Sequence, residues 1–276
     1  MKHFLSFLTV FLLAIAAKAQ YYYNDILATQ QTNANYKQLR SNKIKKIKAV
    51  SKDANNEIVE GFSLLQELSN DGKKSTTTTA TSDGVTSELT SYYENDRIIQ
   101  TQEKSVNVNT TLDYMYDVSG KLQSITSTSS DTIINGFSKE AHVWLYNDKG
   151  LPVQMFKIKN GTDTTTINLV YDEKGNPGIE QWKKKNRTIE TYYYYFDANK
   201  RVTDVVRYDE YIGKMLPDCL YEYDNQGRIT KMTQVRTGGS NYVVWKYAYN
   251  ENGFKAKEIC LDKAKRVLGI MEYSYN

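Results

Sequence analysis

A short phrase, Tyr-Asp-x-x-Gly-x-Leu in its fullest form, returns along this chain at a nearly constant interval, which restricts the fold to one repeated supersecondary unit. It reads Tyr116-Asp117-Val118-Ser119-Gly120-Lys121-Leu122, then Tyr146-Asn147-Asp148-Lys149-Gly150, Tyr171-Asp172-Glu173-Lys174-Gly175, Tyr223-Asp224-Asn225-Gln226-Gly227-Arg228-Ile229 and Tyr249-Asn250-Glu251-Asn252-Gly253. Degenerate copies fill the gaps. Phe196-Asp197-Ala198-Asn199-Lys200-Arg201-Val202 has Lys in place of Gly, the copy at Leu68 lacks the Tyr, the copy at Tyr93 is one residue short, and Tyr273-Ser274-Tyr275-Asn276 stops mid-phrase. Anchors at 68, 93, 116, 146, 171, 196, 223, 249 and 275 are separated by 23 to 30 residues.

Asp or Asn opening a type I turn, with Gly at the fourth position, is favoured because the short side chain bonds back to the backbone and Gly accepts positive φ without steric cost. Each phrase therefore predicts a hairpin turn closed by a Gly bulge. Both flanks alternate as strands do, Val243 to Tyr249 before a turn and Arg228 to Val235 after one. Strand alternation puts each anchor on the same face as the residues two and four before it. That face carries Tyr114 and Tyr116, Trp144 and Tyr146, Ile167 to Tyr171, Tyr192 to Phe196, Tyr221 and Tyr223, and Val243 to Tyr249 at alternate positions, an aromatic ladder. The opposite face mixes Asp113, Asn168, Glu222, Lys246 and Glu272 with apolar residues and reads as wet.

Met1 to Ala19 has a basic start, an apolar core from Phe4 to Ala17 and an Ala-Lys-Ala ending, the pattern of a cleavable secretory signal. No Cys follows it to carry a lipid, so the expectation is a periplasmic or extracellular protein without stable membrane insertion. Loss of Lys2 and Lys18 with the leader leaves 34 bases against 32 acids, a balance that does not favour nucleic acid. Cys219 and Cys260 fall on strands three positions apart, about 14 Å at ~4.8 Å per strand, too far for a disulfide. They are read as free thiols.

Residues 20–40 lack the repeat and predict a short helix capped by Asn24, with Ile26, Leu27, Tyr36 and Leu39 facing inward. Residues 41–276 form the repeat domain. It starts with a strand over Asn42 to Val50, whose four lysines are read as the solvated face of an edge strand. Ser75 to Ser82 is a polar strand or a long loop, and Ser127 to Phe137 and Val235 to Asn241 are return loops. The fold class is all-β, tandem antiparallel hairpins of about 26 residues. A sheet of about 18 strands cannot stay open and flat, so it curls into a roll or closes as a barrel.

Searching for chemistry yields little. His142, the single histidine after the leader, sits two residues before Trp144 on the aromatic face and is read as a packed or hydrogen-bonded core residue. No nucleophile elbow, zinc spacing or phosphate loop is present, and no cofactor or metal is expected. Asp117, Asp172, Asp197 and Asp224 are separated by about two strand spacings, ~10 Å, so turn capping explains them better than calcium. Counting acids neither identifies nor removes a glycosidase-type carboxylate pair. Aromatic faces suit sugar rings, which makes Trp144, Trp182, Tyr194, Tyr221, Trp245 and Tyr247 the candidate ligand-binding residues; core packing is the rival account.

The phrase from Tyr221 to Ile229, with its relatives at Tyr114 to Leu122 and Tyr247 to Gly253, resembles the YD repeats of the bacterial RHS-repeat family. The likeness covers most of residues 41–276. It implies a β-shell architecture, with carbohydrate binding associated with shorter repeats, and carries over no catalytic residue. A second resemblance is to porin-like repeat proteins exported by bacteria. The leading expectation is a non-enzymatic exported module binding a glycan or cell-envelope polymer. The alternatives are a structural or partner-binding envelope protein whose ladder is only core, and an outer-membrane barrel. Against the last, Lys231 and Asp204 fall mid-strand at outward positions.

Overall fold

Alternation of inward aromatic and outward polar residues carries the repeat flanks into strands. In the computed structural model, which describes residues 21–209, 213–235 and 241–276, eighteen such strands follow one another. The first half holds β1 (Lys46–Lys52), β2 (Ser63–Leu68), β3 (Lys74–Ala80), β4 (Thr86–Glu94), β5 (Arg97–Lys104), β6 (Val108–Tyr116), β7 (Leu122–Asp131), β8 (Gly136–Tyr146) and β9 (Pro152–Lys159). The second half holds β10 (Asp163–Tyr171), β11 (Pro177–Lys184), β12 (Arg187–Phe196), β13 (Val202–Asp209), β14 (Lys214–Tyr223), β15 (Ile229–Val235), β16 (Tyr242–Tyr249), β17 (Lys255–Asp262) and β18 (Val267–Tyr275). The leader and most of the loop from Val235 to Asn241 lie outside the described residues.

Every strand pairs antiparallel with its sequence neighbours, and β1 pairs with both β2 and β18, so the sheet closes into an up-and-down barrel. The expected edge strand is therefore interior to the sheet. Its lysines do face water, with Lys46 paired to Glu67 at 2.8 Å and Lys52 to Glu272 at 2.7 Å. Closure is the physical reason: it leaves no unpaired edge to protect.

The turns follow their expected chemistry. At Asp224 the carboxylate accepts the backbone N–H of Gln226 and Arg228, both at 2.9 Å, and Gly227 has φ +82°. Register shifts mark the bulge at the anchors, as between Glu222 and Tyr223. Lys200, which stands in place of the turn Gly, takes the left-handed conformation itself, φ +61°. The reason lies in the flanks: Asp197 accepts the N–H groups of Asn199 and Arg201 and pairs with the Arg201 guanidinium at 2.6 Å, holding the ordinary turn around an unfavourable residue. The short copy at Tyr93 closes instead through Asn95 and Asp96, both at positive φ, as a two-residue hairpin.

Two polar stretches are more regular than a loop reading allows. Ser75 and Thr77 lie buried on β3, and β7 continues through the serines to Asp131, leaving only Thr132 to Asn135 between β7 and β8. Strand pairing on both sides satisfies their backbones, so hydroxyl side chains suffice.

A closed barrel of this strand number has a lumen too wide for wall side chains alone to fill. The N-terminal segment packs against the inner face of its wall. A π-helical turn over Tyr22–Leu27 leads into α1 (Ala28–Ser41), which packs Tyr36 and Leu39 against Ile47, Leu68, Tyr93, Ile98 and Phe254. Its C-terminal part is tied to the short-turn end of the barrel by an Arg40–Asp96 ion pair and by Gln38 donating to the Asn252 carbonyl at 3.1 Å. Residues Ile26, Tyr36 and Leu39 are buried as expected, but Asn24 is not the cap. Leu27 occupies that position without a side-chain bond, and wall residues take over the capping.

Candidate functional site where the N-terminal helix meets the lumen wall

The inward face of β11 places Glu180 next to Trp182, and strand pairing sets Glu180 opposite Tyr192 of β12. Glu180 is wholly buried, yet its carboxylate accepts four hydrogen bonds. The backbone N–H groups of Tyr21 and Tyr22 donate at 3.0 and 2.9 Å, the Trp182 indole at 2.7 Å and the Tyr194 hydroxyl at 2.8 Å. The first N–H groups of a helical segment have no partner within it, and this carboxylate supplies one. Burial pushes the Glu180 carboxyl above its ordinary range even though all four donors pull it down.

A second cluster lies one hairpin away on β8 and β9. Asp25 of the helical turn accepts from the Trp144 indole at 3.0 Å and contacts His142 Nδ1 at 2.9 Å. The other imidazole nitrogen meets Glu140 at 3.0 Å, and Lys157 reaches Glu140 at 3.3 Å. Burial opposes charge on His142, but Asp25 and Glu140 outweigh it and lift the imidazole to about 9. Glu140 is held below its ordinary range, first by the bond to His142. Tyr21 joins both clusters: its ring stacks on Trp182 at 4.8 Å, its edge meets His142, and Lys157 donates to its hydroxyl at 2.6 Å.

Both nitrogens of His142 are engaged by carboxylates, so neither is placed to take a proton from a hydroxyl. The arrangement instead holds a chain segment. Beside it remains a cavity of about 180 Å³ lined by Asn24, Asp25, Thr29, Tyr114, Glu140 and His142, with the side-chain oxygen Oδ1 of Asn24 unpaired.

The sequence-nominated aromatic residues are distributed along this interior. Trp144, Trp182, Tyr194 and Tyr221 are buried in one cluster with Tyr21 and Ile26, whereas Trp245 is buried further round on β16 and Tyr247 is half-buried beneath Lys255. Trp182 points inward, where its indole donates to Glu180. Sequence reasoning missed Glu180, Asp25, Glu140, Lys157 and Tyr21. The available signal was a charged residue at ladder parity, as in Glu140-x-His142-x-Trp144 and Glu180-x-Trp182. Cys219 and Cys260 form no disulfide, as expected, with Cys260 buried and Cys219 pushed up to about 11 by burial.

No protein-family model matches the chain, and no curated protein matches it in sequence. Among solved structures it is similar to a porin-like protein from Bacteroides uniformis at 11% identity, covering 84% of this chain and 98% of that one, with a TM-score of 0.38. A porin-like protein from Bacteroides vulgatus gives 11% identity, the same coverages and a TM-score of 0.32. The Photorhabdus luminescens Tc holotoxin pore gives 11% identity over 86% of this chain but 17% of that one, with a TM-score of 0.22. The neighbours thus include proteins described as porin-like, one of the two kinds the sequence resembles, and the likenesses assign the chain to no family.

Proposed function

We propose that this chain is a non-enzymatic, exported β-barrel of the bacterial envelope with a structural or partner-binding role, its lumen sealed by its own N-terminal segment. The observation that carries this reading is Glu180, fully buried and bonded to the backbone of Tyr21 and Tyr22. The segment held there occupies the indole and hydroxyl groups of Trp144, Trp182 and Tyr194 that a ligand would otherwise meet. Glycan binding by Trp144, Trp182 and Tyr194 would require the helix to leave, exposing four donors and a carboxylate that now satisfy one another.

The outer wall supports an aqueous surrounding over at least half the circumference. Gln100 donates to Asp113 at 2.6 Å, Gln102 to Gln100 at 2.8 Å and Gln154 to Asn168 at 2.7 Å, all mid-strand. Glu272 sits between Lys52 and Lys257, and Lys231 pairs with Glu222 at 2.6 Å. Each cation at a bilayer midplane would cost about 2 to 4 kcal/mol.

Fractionation of the exported protein with affinity gels of envelope polysaccharides tests the reading. The protein should be recovered without detergent, and no polysaccharide should retard it. Retardation that depends on Trp144 or Trp182 would restore the glycan reading, and a requirement for detergent would restore the outer-membrane barrel.

A further inference from the structure

The repeated anchor turns crown one end of the barrel, and the longer return loops, three of them also capped by Asp53, Asp83 and Asp262, stand at the other. At that second end, where β5 passes into β6 and β7 into β8, Val106, Ile133, Ile134 and Phe137 are 68, 70, 74 and 68% exposed. The two loops that carry them are adjacent. The backbone N–H and hydroxyl of Thr132 both donate to the Asn107 carbonyl, at 2.9 and 3.2 Å, tying the two loops side by side. Asp131 accepts the N–H groups of Ile133 and Ile134 at 2.8 and 3.2 Å, which fixes the backbone that presents them. Apolar groups held out into water by a built loop mark a contact surface.

A partial basic collar flanks the tips on the β8 to β12 side. Lys139, Lys159, Lys185 and Arg187 are exposed at the same end of the barrel, on strand ends and in the β11–β12 turn. Lys139 and Asn160 exchange backbone and side-chain bonds of 2.7 and 3.0 Å, which brings the β9–β10 loop alongside β8. On that side Asp131 caps its own loop and Asp163 is paired with Lys184 at 2.8 Å, while on the other side Lys104 stands opposite Glu88. The surface is therefore apolar at its projecting centre and cationic along its β8 to β12 flank.

We propose that this rim docks on an anionic lipid bilayer. Ile133, Ile134 and Phe137 enter the boundary between headgroups and acyl chains while the collar meets lipid phosphates. Charge complementarity selects an anionic surface, and projecting tips rather than a groove suit a fluid interface. The barrel itself stays outside the hydrocarbon, so the proposal is independent of what the lumen holds.

Co-sedimentation of the whole chain with phosphatidylglycerol vesicles, and separately with phosphatidylcholine vesicles, tests it. The protein should sediment with the former, not with the latter, and less as salt rises. Ile134→Ser combined with Phe137→Ser should weaken binding by about tenfold or more at an unchanged unfolding temperature. Lys139→Gln with Lys159→Gln should weaken it and flatten the salt dependence. The proposal is overturned if phosphatidylglycerol is not bound, if both lipids bind equally, or if neither variant matters. It is also overturned if the patch instead mediates a concentration-dependent dimer that Phe137→Ser dissolves.

Discussion

The hydroxyl of Tyr223 donates to the carbonyl of Val202, 2.6 Å away, joining the end of one hairpin to the start of the hairpin before it. The same bond recurs from Tyr116 to Ile98, Tyr146 to Leu122, Tyr171 to Pro152, Tyr249 to Ile229 and Tyr275 to Lys255, at 2.6 to 2.8 Å. In each case the acceptor opens the strand after the previous turn. The basic residue after the fourth turn position then covers the next anchor ring, as Arg201 does Tyr223 and Arg228 does Tyr249, both at 4.5 Å. The repeated phrase is thus a stitch between repeats as well as a turn. Tyr223→Phe should cost about 1 kcal/mol in denaturant unfolding. Phe196 is an anchor without a hydroxyl, and Phe196→Tyr should return part of that amount by reaching the Pro177 carbonyl. Neutral effects from both would show that the bond carries no net stability.

Turn backbone gives a paired prediction of opposite sign. Gly227→Ala should destabilise by about 1 kcal/mol, because φ +82° strains any residue with a Cβ. Lys200→Gly should stabilise by about 1 kcal/mol, since Lys200 already bears that strain at φ +61°. Measured melting temperatures that move in the same direction would contradict the shared turn geometry.

The helix-wall contact should depend on pH. His142 is lifted from 6.5 to about 9 in the folded protein, with burial opposing and Asp25 and Glu140 driving the rise. A raised folded value means this stability is fully present below about pH 6.5 and lost as pH climbs through 9. The loss is on the order of 3 kcal/mol. His142→Gln should flatten the alkaline limb of a stability-pH profile. An unchanged limb would place its cause elsewhere.

The wall of the barrel was legible because its information is local. Asp224 and Gly227 specify a turn within four residues, and Tyr221-x-Tyr223 specifies which way the flank faces. Even the turn at Asp262, missed as a unit, repeats the Asp-x-x-Lys-Arg spacing of Asp197, with Lys265 at φ +63° and Arg266 paired to Asp262 at 2.6 Å. Closure was left open between roll and barrel because pairing of β1 with β18 joins the two chain ends and has no local signature. The site was illegible for the same reason. Glu180 and Tyr21 meet across 159 residues, and the Asn24 cap failed because a residue so distant supplies the acceptor. Trp144, Trp182 and Tyr194 carried the correct parity, but parity cannot say whether an inward face meets a ligand or the chain's own helix.

Amide hydrogen exchange across Tyr21–Ser41 tests the sealed lumen most directly. If Glu180 and Asp25 hold this segment inside the barrel, its amides should be protected to the level of the β8 and β11 strands. Glu180→Ala, which strands four donors, should lower global stability by about 3 kcal/mol or more and release the helix first. Exchange of α1 at the rate of an isolated 14-residue helix, with the strands still protected, would contradict the account.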